Sequence, residues 1–396
     1  MGSMEVQGSI VLKSKKDEAV RRFHPWVFNG AIKSVDGNPG EGDWVDVYSN
    51  KGGYLASGHF QTTGSIAVRL LTWERETPDV AFYARRIQAA LALRQRTGLS
   101  LSDETNAYRL VYAEGDSLPG LIADYYNGHV VLQCHSAGMT SDLHLIVEAL
   151  EQVMGDQLRS IYLKPLKGET VPEHVAHLLT SNETMTTIME HKIQYHVNWV
   201  EGQKTGFFLD QRENRWLVKQ LSAEKKVLNT FCYTGGFSLA ALHGGASVVH
   251  SVDSSGSAID MLKKNFELNG FSTEPHTPFV SDALVFLKEN ELDYDLVILD
   301  PPAYAKHLSA RHNAVQGYKR LNATAFKAMK PGSLLMTFSC SQVVDRKLFE
   351  ATIMAAALAA NRQVTILARL SQPPDHPVSL FHPEGEYLKG LLLAVK

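Results

Sequence analysis

Lys226-Val-Leu-Asn-Thr-Phe-Cys-Tyr-Thr-Gly-Gly236 is the stretch on which the reading of this chain turns. Val227 to Phe231 has the short apolar run of a buried strand, and Gly235-Gly236 lets the backbone turn tightly. Phe237-Ser-Leu-Ala-Ala-Leu242 opens a helix directly afterwards, and a second apolar run, Ser247 to Val252, ends on Asp253. Strand, glycine turn, helix, strand and carboxylate make the first half of a nucleotide-binding α/β sheet. The N–H groups of the helix start lie beside the turn, and a carboxylate at Asp253 suits a ribose diol. A pyrophosphate would call for G-x-G-x-x-G, because it needs close backbone approach. Phe231-Cys-Tyr-Thr-Gly-Gly236 is not that pattern. A ligand with a ribose and no phosphate fits better, and S-adenosylmethionine is such a ligand. The plainer alternative is an ordinary βαβ unit with a surface Asp.

A chain of 396 residues suggests two or three domains, and a net charge of −3 leaves any nucleic-acid surface to local basic patches. The three cysteines, Cys134, Cys232 and Cys340, have neither zinc-ligand nor disulfide-framework spacing, so no metal site is expected. With no signal-peptide pattern and no apolar run of about 18 residues, a cytosolic chain without membrane contact is expected. Met1-Gly-Ser-Met4 reads as a cloning remnant and carries no argument.

Residues 1–74 alternate in short β-like runs such as Ser9–Lys13 and Trp44–Tyr48, separated by Asp36-Gly-Asn-Pro-Gly40 and Asn50-Lys-Gly-Gly53. A small β-barrel is expected there. Lys15, Lys16, Arg21 and Arg22 lead into His24-Pro-Trp26, placing positive charge beside rings, the combination that suits RNA. A solvated basic turn is the competing reading. Thr77-Pro78 predicts a helix start, with Thr77 as its cap, and a helix follows to about Arg96. Strands near 108–112, 120–124, 130–133 and 160–163, and a helix over 141–154, make residues 75–192 an α+β domain. Residues 193–396 then alternate strand and helix, with strands predicted at 278–281, 294–299, 333–338, 364–370 and 387–395. That count fits a seven-stranded Rossmann-like sheet with a final antiparallel hairpin.

The cofactor cradle is expected from Phe231, Tyr233, Thr234, Gly235, Gly236 and Phe237, with Asp253 and Ser254 at the next strand end. Asn269 closes the following helix, and Asp282-Ala283 follows the third strand, where a carboxylate can meet an adenine amino group or cap a helix. Asp210, Gln211 and Arg212 lie in a polar, aromatic stretch read as a lid over the same ligand.

Asp300-Pro301-Pro302 ends a buried strand in a rigid lip, because two prolines fix φ and remove two donors. Cys340 follows the next strand, which should be its neighbour, so Asp300 and Cys340 are expected to face one crevice. A buried cysteine is ordinarily a small hydrophobe. At this position it suits another chemistry. Carbon 5 of a pyrimidine takes a methyl group poorly until a thiolate adds at C6, and a carboxylate near N3 would aid that addition. Cys340 is assigned as nucleophile and Asp300 as its partner. Cys134 and Cys232 are read as structural.

These residues together resemble the RlmI-type large-subunit rRNA cytosine-C5 methyltransferases. Phe231–Gly236, Asp300–Pro302 and Phe338-Ser-Cys-Ser341 carry the site part of the match. His24-Pro-Trp-Val-Phe28, Lys204–Arg212 and Asp375-His-Pro377 carry the part outside the cofactor fold. The resemblance implies an N-terminal PUA-like RNA-binding domain, a central α+β domain and a C-terminal class I methyltransferase domain. It implies S-adenosylmethionine as donor, 5-methylcytosine in 23S rRNA as product and a covalent Cys–C6 adduct on the way. A homodimer is one assembly it admits. Many RNA cytosine-C5 methyltransferases carry a second Cys where this chain has Pro302, so the base that removes the C5 proton is not identified by the match. Two rivals are a guanine N-methyltransferase using Asp-Pro-Pro without a thiol, and a non-catalytic RNA-binding assembly factor on the same fold.

Overall fold

In the first sheet, Val45 and Val47 point from one face of Trp44–Tyr48 into the first core with no exposed surface, while Trp44 on the other face packs into a second core. In the computed structural model that sheet has six strands: β1 (Gly8–Leu12), β2 (Trp26–Phe28), β3 (Ile32–Asp36), β4 (Trp44–Tyr48), β5 (Tyr54–Phe60) and β6 (Ile66–Thr72). Their order is β2-β6-β5-β4-β1-β3. The structure describes residues 6–100, 102–166, 168, 170, 183–271, 274–290, 293–305 and 307–396, so Met1 to Met4 lies outside them.

The first sheet and the segment after residue 75 share apolar packing. Trp44 and Leu71 share one core with Phe82, Ile87 and Leu132, and His59 Nε2 lies 2.9 Å from Asp142 Oδ2. The helix after the first sheet spans Val80–Arg96, and its cap is Asp79 rather than Thr77, the side chain accepting from Phe82 N–H at 2.7 Å. A four-stranded sheet follows, ordered β10-β9-β8-β7, with β7 (Ala107–Tyr112), β8 (Leu121–Tyr126), β9 (His129–Cys134) and β10 (Ser160–Leu163). The helix predicted over 141–154 is two helices, Ala137–Ser141 and Leu143–Met154. They break at Asp142, whose buried carboxylate accepts from the Tyr83 hydroxyl.

The chain divides into two units: residues 1–188 with 197–209 and 374–385, and residues 189–196 with 210–373 and 386–396. The boundary expected at 193 falls inside a hairpin, β11 (Met185–Glu190) and β12 (Ile193–Asn198), through which the chain passes from one unit to the other.

The second unit is built on seven strands: β13 (Lys226–Thr230), β14 (Val248–Asp253), β15 (His276–Val280), β16 (Leu296–Leu299), β17 (Leu334–Ser339), β18 (Val364–Leu370) and β19 (Lys389–Val395). Their order is β15-β14-β13-β16-β17-β19-β18, with β19 antiparallel to both neighbours. Chain direction across the sheet reverses between β13 and β16, and there the carboxyl ends of parallel strands open a ligand crevice. Leu228, Val297, Leu299 and Leu335 have no exposed surface, which fixes the strands in place. The helix between β16 and β17 spans Arg311–Ala328.

Candidate active site

The cofactor turn is held in a conformation that an ordinary loop avoids. Phe231, Tyr233 and Gly235 all have left-handed backbones, with φ of 55°, 48° and 87°. For the two aromatic residues this costs on the order of 1–3 kcal/mol each, and persists only where surroundings enforce it. Here they do. Cys232 N–H donates to Val252 O at 3.1 Å and Gly235 N–H to Cys232 O at 2.9 Å. Tyr233 N–H donates to Asp253 Oδ2 at 2.9 Å, and Asn265 Nδ2 donates to Thr234 O at 2.9 Å. A Cβ on Gly235 would stand 2.9 Å from Leu262 Cγ, so no side chain fits. The helix Gly236–His243 starts immediately afterwards with no side chain capping it, and Phe237 stacks on Phe338 of β17. A shallow turn of this shape with a carboxylate beside it fits an adenosine group without phosphates.

Asp253 does two jobs at the end of β14. Oδ2 holds the turn through Tyr233, and Oδ1 accepts from Ser255 N–H at 2.9 Å. Ser254 beside it is exposed. Asp282 Oδ1 caps the helix Ala283–Glu289, accepting from Leu284 and Val285 N–H at 2.9 and 3.0 Å, and Ala283 is buried beneath it. Both expected uses of Asp282 are compatible with that, since only one oxygen is engaged in the cap. Asn269 is placed differently. Its oxygen accepts from Gln194 N–H and faces His243 Nε2, while its nitrogen donates to Gln194 O and Asn265 O. Those contacts use the whole bonding capacity of the amide and tie β12 to the helix Gly256–Leu268.

The side around Asp300 and Cys340 is assembled from parts far apart in sequence. Leu299 pairs with Thr337 across parallel strands β16 and β17, so Asp300 and Cys340 leave neighbouring strand ends. Ser341 ties the two ends together: its hydroxyl meets the Tyr318 hydroxyl at 2.9 Å and accepts from Ala305 N–H at 3.4 Å. Tyr304 packs on Tyr318 with ring centroids 4.7 Å apart, and burial pushes the Tyr304 phenol up to about 12. Pro301 is buried while Pro302 is exposed. Cys340 is half-buried, whereas Cys134 and Cys232 are buried.

Gln211 belongs to this side. Its Nε2 donates to Asp300 Oδ2 at 3.1 Å, and its Oε1 accepts from Asn214 Nδ2 at 2.6 Å. Asp210 accepts from the Tyr387 hydroxyl through Oδ2, and Arg212 is fully buried beside Glu213. Sequence reasoning missed Tyr387 and Lys389, which enter from β19 and the segment before it. Lys389 Nζ donates to Ser341 O at 2.8 Å and to Tyr387 O at 2.6 Å.

In the first unit, Arg21 and Arg22 form exposed ion pairs with Asp17 and Glu18, and Lys15 sits in a left-handed turn. His24 and Trp26 are packed rather than presented. Trp26 Nε1 donates to Glu114 Oε1 at 2.9 Å, and its ring meets His382 at 4.4 Å. The outward rings of that region are Phe23 and Phe28.

An S-adenosylmethionine-dependent methyltransferase family model matches residues 109–393, and a PUA-like domain model matches residues 10–73. A curated relative from Aeromonas hydrophila, ribosomal RNA large subunit methyltransferase I, is 38% identical over 99% of this chain and 100% of its own length. The protein of the same name from Photobacterium profundum is 39% identical over 98% of this chain and 99% of its own. Among solved structures, a candidate SAM-dependent methyltransferase from Streptococcus mutans superposes with a TM-score of 0.82 at 24% identity, covering 97% of this chain and 99% of that one. A second candidate methyltransferase, solved with SAH, gives 0.84 at 23% identity, covering 98% of this chain and 100% of that one. The two structures share the fold.

Proposed function

The chain belongs to the S-adenosylmethionine-dependent methyltransferases, in the family of ribosomal RNA large subunit methyltransferase I, and we propose that it converts a cytosine of large-subunit rRNA to 5-methylcytosine. The observation that carries the C5 reading is the pairing of strand ends: Cys340, half-buried, follows β17 directly beside the β16 end that carries Asp300. S-adenosylmethionine, when bound, supplies an electrophilic methyl group. The protein's part is to make C5 nucleophilic. The Cys340 sulfur adds to C6, and the displaced electron pair moves into the ring towards C5 and N3. Cytosine takes a proton from solvent at N3, and the Asp300 carboxylate, held by Gln211, accepts a hydrogen bond from that N3–H, so the arriving electron pair is neutralised there. Once C5 is substituted, loss of its proton returns the electron pair, the C6–S bond breaks and the thiolate is restored. The ring must leave its stack to be reached in this way.

Phe231–Phe237 and Asp253 serve as the cofactor cradle in this reading, with Asp282 at its adenine end and Asp210 and Arg212 supporting the wall opposite. Ser254 lines the ribose rim. Lys15, Lys16, Arg21 and Arg22 neutralise phosphates of the RNA. Replacing these four with Ala lowers the salt slope of rRNA-fragment binding by up to roughly 0.7–0.9 for each phosphate no longer neutralised. An unchanged slope would assign that patch another task.

The test of the C5 reading is covalent trapping. RNA containing 5-fluorocytosine at the target position should form an adduct that survives denaturing electrophoresis, because fluorine cannot leave as a proton does. One observation favours the guanine N-methylation alternative. Asp300-Pro-Pro-Ala-Tyr304 ends in a partly exposed ring, a lip that suits a flat base and an amino group. Good turnover with no trapped adduct would move that alternative ahead.

A further inference from the structure

Lys389 is 3% exposed, and lysine is almost never buried to that degree without a partner for its charge. Two of its three donors go to the carbonyls of Ser341 and Tyr387. Carbonyls satisfy hydrogen bonds but do not neutralise an ammonium. Among the described residues no carboxylate lies within ion-pair distance of Nζ. What does lie beside it is Cys340. Ser339 of β17 is the strand partner of Lys389 on β19, and Nζ reaches forward to Ser341 O, so the lysine brackets Cys340 from both sides. We propose that the Lys389 ammonium is the counter-charge that holds Cys340 as a thiolate, which makes Lys389 a positioning residue for methyl transfer. The proposal rests on Cys340 being the nucleophile.

The surrounding charges are consistent in sign. Burial pulls the Lys389 ammonium down to about 8, and the groups that push it back up are Cys340, Glu386 and Asp345, with Arg346 opposing them. Cys340 is the largest single contributor to that support. The Tyr318 phenol is raised by burial and also by Cys340, so it stays neutral and offers a hydroxyl rather than a second charge. A positive group next to a half-buried sulfur is the arrangement that lowers a thiol below its ordinary value and makes it nucleophilic at neutral pH. The thiol proton goes to solvent, and the sulfur keeps the electron pair it will use on C6. Lys389 comes from an antiparallel strand inserted next to β17, so the device is built into the topology of the sheet rather than into a loop.

The experiment is the pH dependence of iodoacetamide labelling of Cys340 in the full-length protein, read by mass spectrometry of the Cys340 peptide. In the unaltered protein the midpoint should fall below about 8.5, the ordinary thiol value. Lys389→Met should raise it by about one pH unit, equivalent to roughly tenfold less thiolate near neutrality, whereas Lys389→Arg should restore most of the difference. S-adenosylmethionine affinity checks that each variant is folded. An unaltered protein whose Cys340 midpoint lies at or above about 8.5 overturns the proposal whether or not Lys389→Met folds. An unchanged midpoint in folded Lys389→Met overturns it as well, and leaves the nucleophile reading standing if Cys340→Ala is inactive. Conversely, an active Cys340→Ala protein overturns the nucleophile reading, while the labelling shift still reports the lysine–thiol pair.

Discussion

Cys232 and Cys340 stand at the carboxyl ends of strands in the same sheet, yet one is buried and the other half-buried near a buried ammonium. Cys232 is buried within the cofactor turn, and burial together with the Asp253 carboxylate pushes its thiol well above the ordinary value. Cys340 is half-buried, and both the Lys389 ammonium and the neutral Tyr318 phenol are close enough to feel its charge. The same element of the fold therefore makes an inert packing group in one place and a candidate nucleophile in another. The regions around them differ in the same way. The cofactor turn is made of backbone conformation and contiguous residues. The base-facing side is made of side chains brought in from β19, from the helix Arg311–Ala328 and from the segment before residue 212. One region offers shape, and the other offers charge.

If that division is right, the two regions fail separately when broken. Cys340→Ala should give the largest effect, a loss of methyl transfer of at least about 10³-fold, as expected when a covalent nucleophile is removed. S-adenosylmethionine affinity measured by calorimetry should stay within a factor of about two, since the variant leaves the cofactor cradle intact. Alkylation at neutral pH should modify Cys340 and spare Cys232, and equal labelling of the two would erase the contrast. Asp300→Asn should come next. It keeps the shape and the bond partner for Gln211 but removes the charge facing the ring, so a fall of roughly 10²-fold in turnover is expected. A fall confined to KM for the cofactor would instead place Asp300 with the cradle.

How much of this is legible in the sequence follows the same line. Residues 226–253 carry their whole geometry in one contiguous run, so strand, turn, helix and carboxylate can be read from the order of residues alone. The neighbouring positions of β16 and β17 are also legible, because alternation of strand and helix restricts the order of a doubly wound sheet. Lys389 is not. It lies 48 residues from the carbonyl it holds, and a final antiparallel hairpin, though expected, does not reveal that its second strand inserts beside β17 with Lys389 facing Ser341. Gln211 reads as a cofactor residue because it precedes the cofactor unit, although its amide reaches Asp300, 89 residues away. Asn269 looks like a residue at a helix end near the ligand, and only the backbone of Gln194 reveals it as an anchor. Trp26 reads as a ring beside basic charge, but His382, from the other end of the chain, covers it. Thr77-Pro78 makes an edge near residue 75 legible, but not the Trp44–Phe82 core that runs across it.

Asp253→Ala sharpens the comparison from the cofactor side. Removing the carboxylate deletes the acceptor offered to the ribose and also releases Tyr233 and Ser255 N–H. Loss of such charge-assisted bonds costs about 1–3 kcal/mol, so cofactor binding should weaken by roughly 5- to 150-fold. The Cys340 labelling profile should not move, because its controlling charge comes from Lys389. A shift in that profile would mean that the two regions are coupled through the sheet and that the division between them is too sharp.

The smallest effect expected is that of Gln211→Met, and it decides to which region Gln211 belongs. The amide links Asn214 to Asp300, donating to the carboxylate at 3.1 Å. Methionine keeps the length and fills the same space but donates nothing. A hydrogen bond to a charged group contributes about 1.5–3 kcal/mol when buried, and Asp300 is partly open to water, so the lower end applies. Turnover should therefore fall by about tenfold through a less well-oriented Asp300. The decrease should appear in kcat, with cofactor affinity nearly unchanged. In the Asp300→Asn background the same substitution should cost less than it does alone, because the group being oriented has already lost its charge. If Gln211→Met instead weakens S-adenosylmethionine binding and leaves kcat intact, or if its cost adds in full to that of Asp300→Asn, then Gln211 acts on the cofactor independently of Asp300. The base-facing side would then begin at Asp300, and the polar stretch before residue 212 would return to the cofactor cradle.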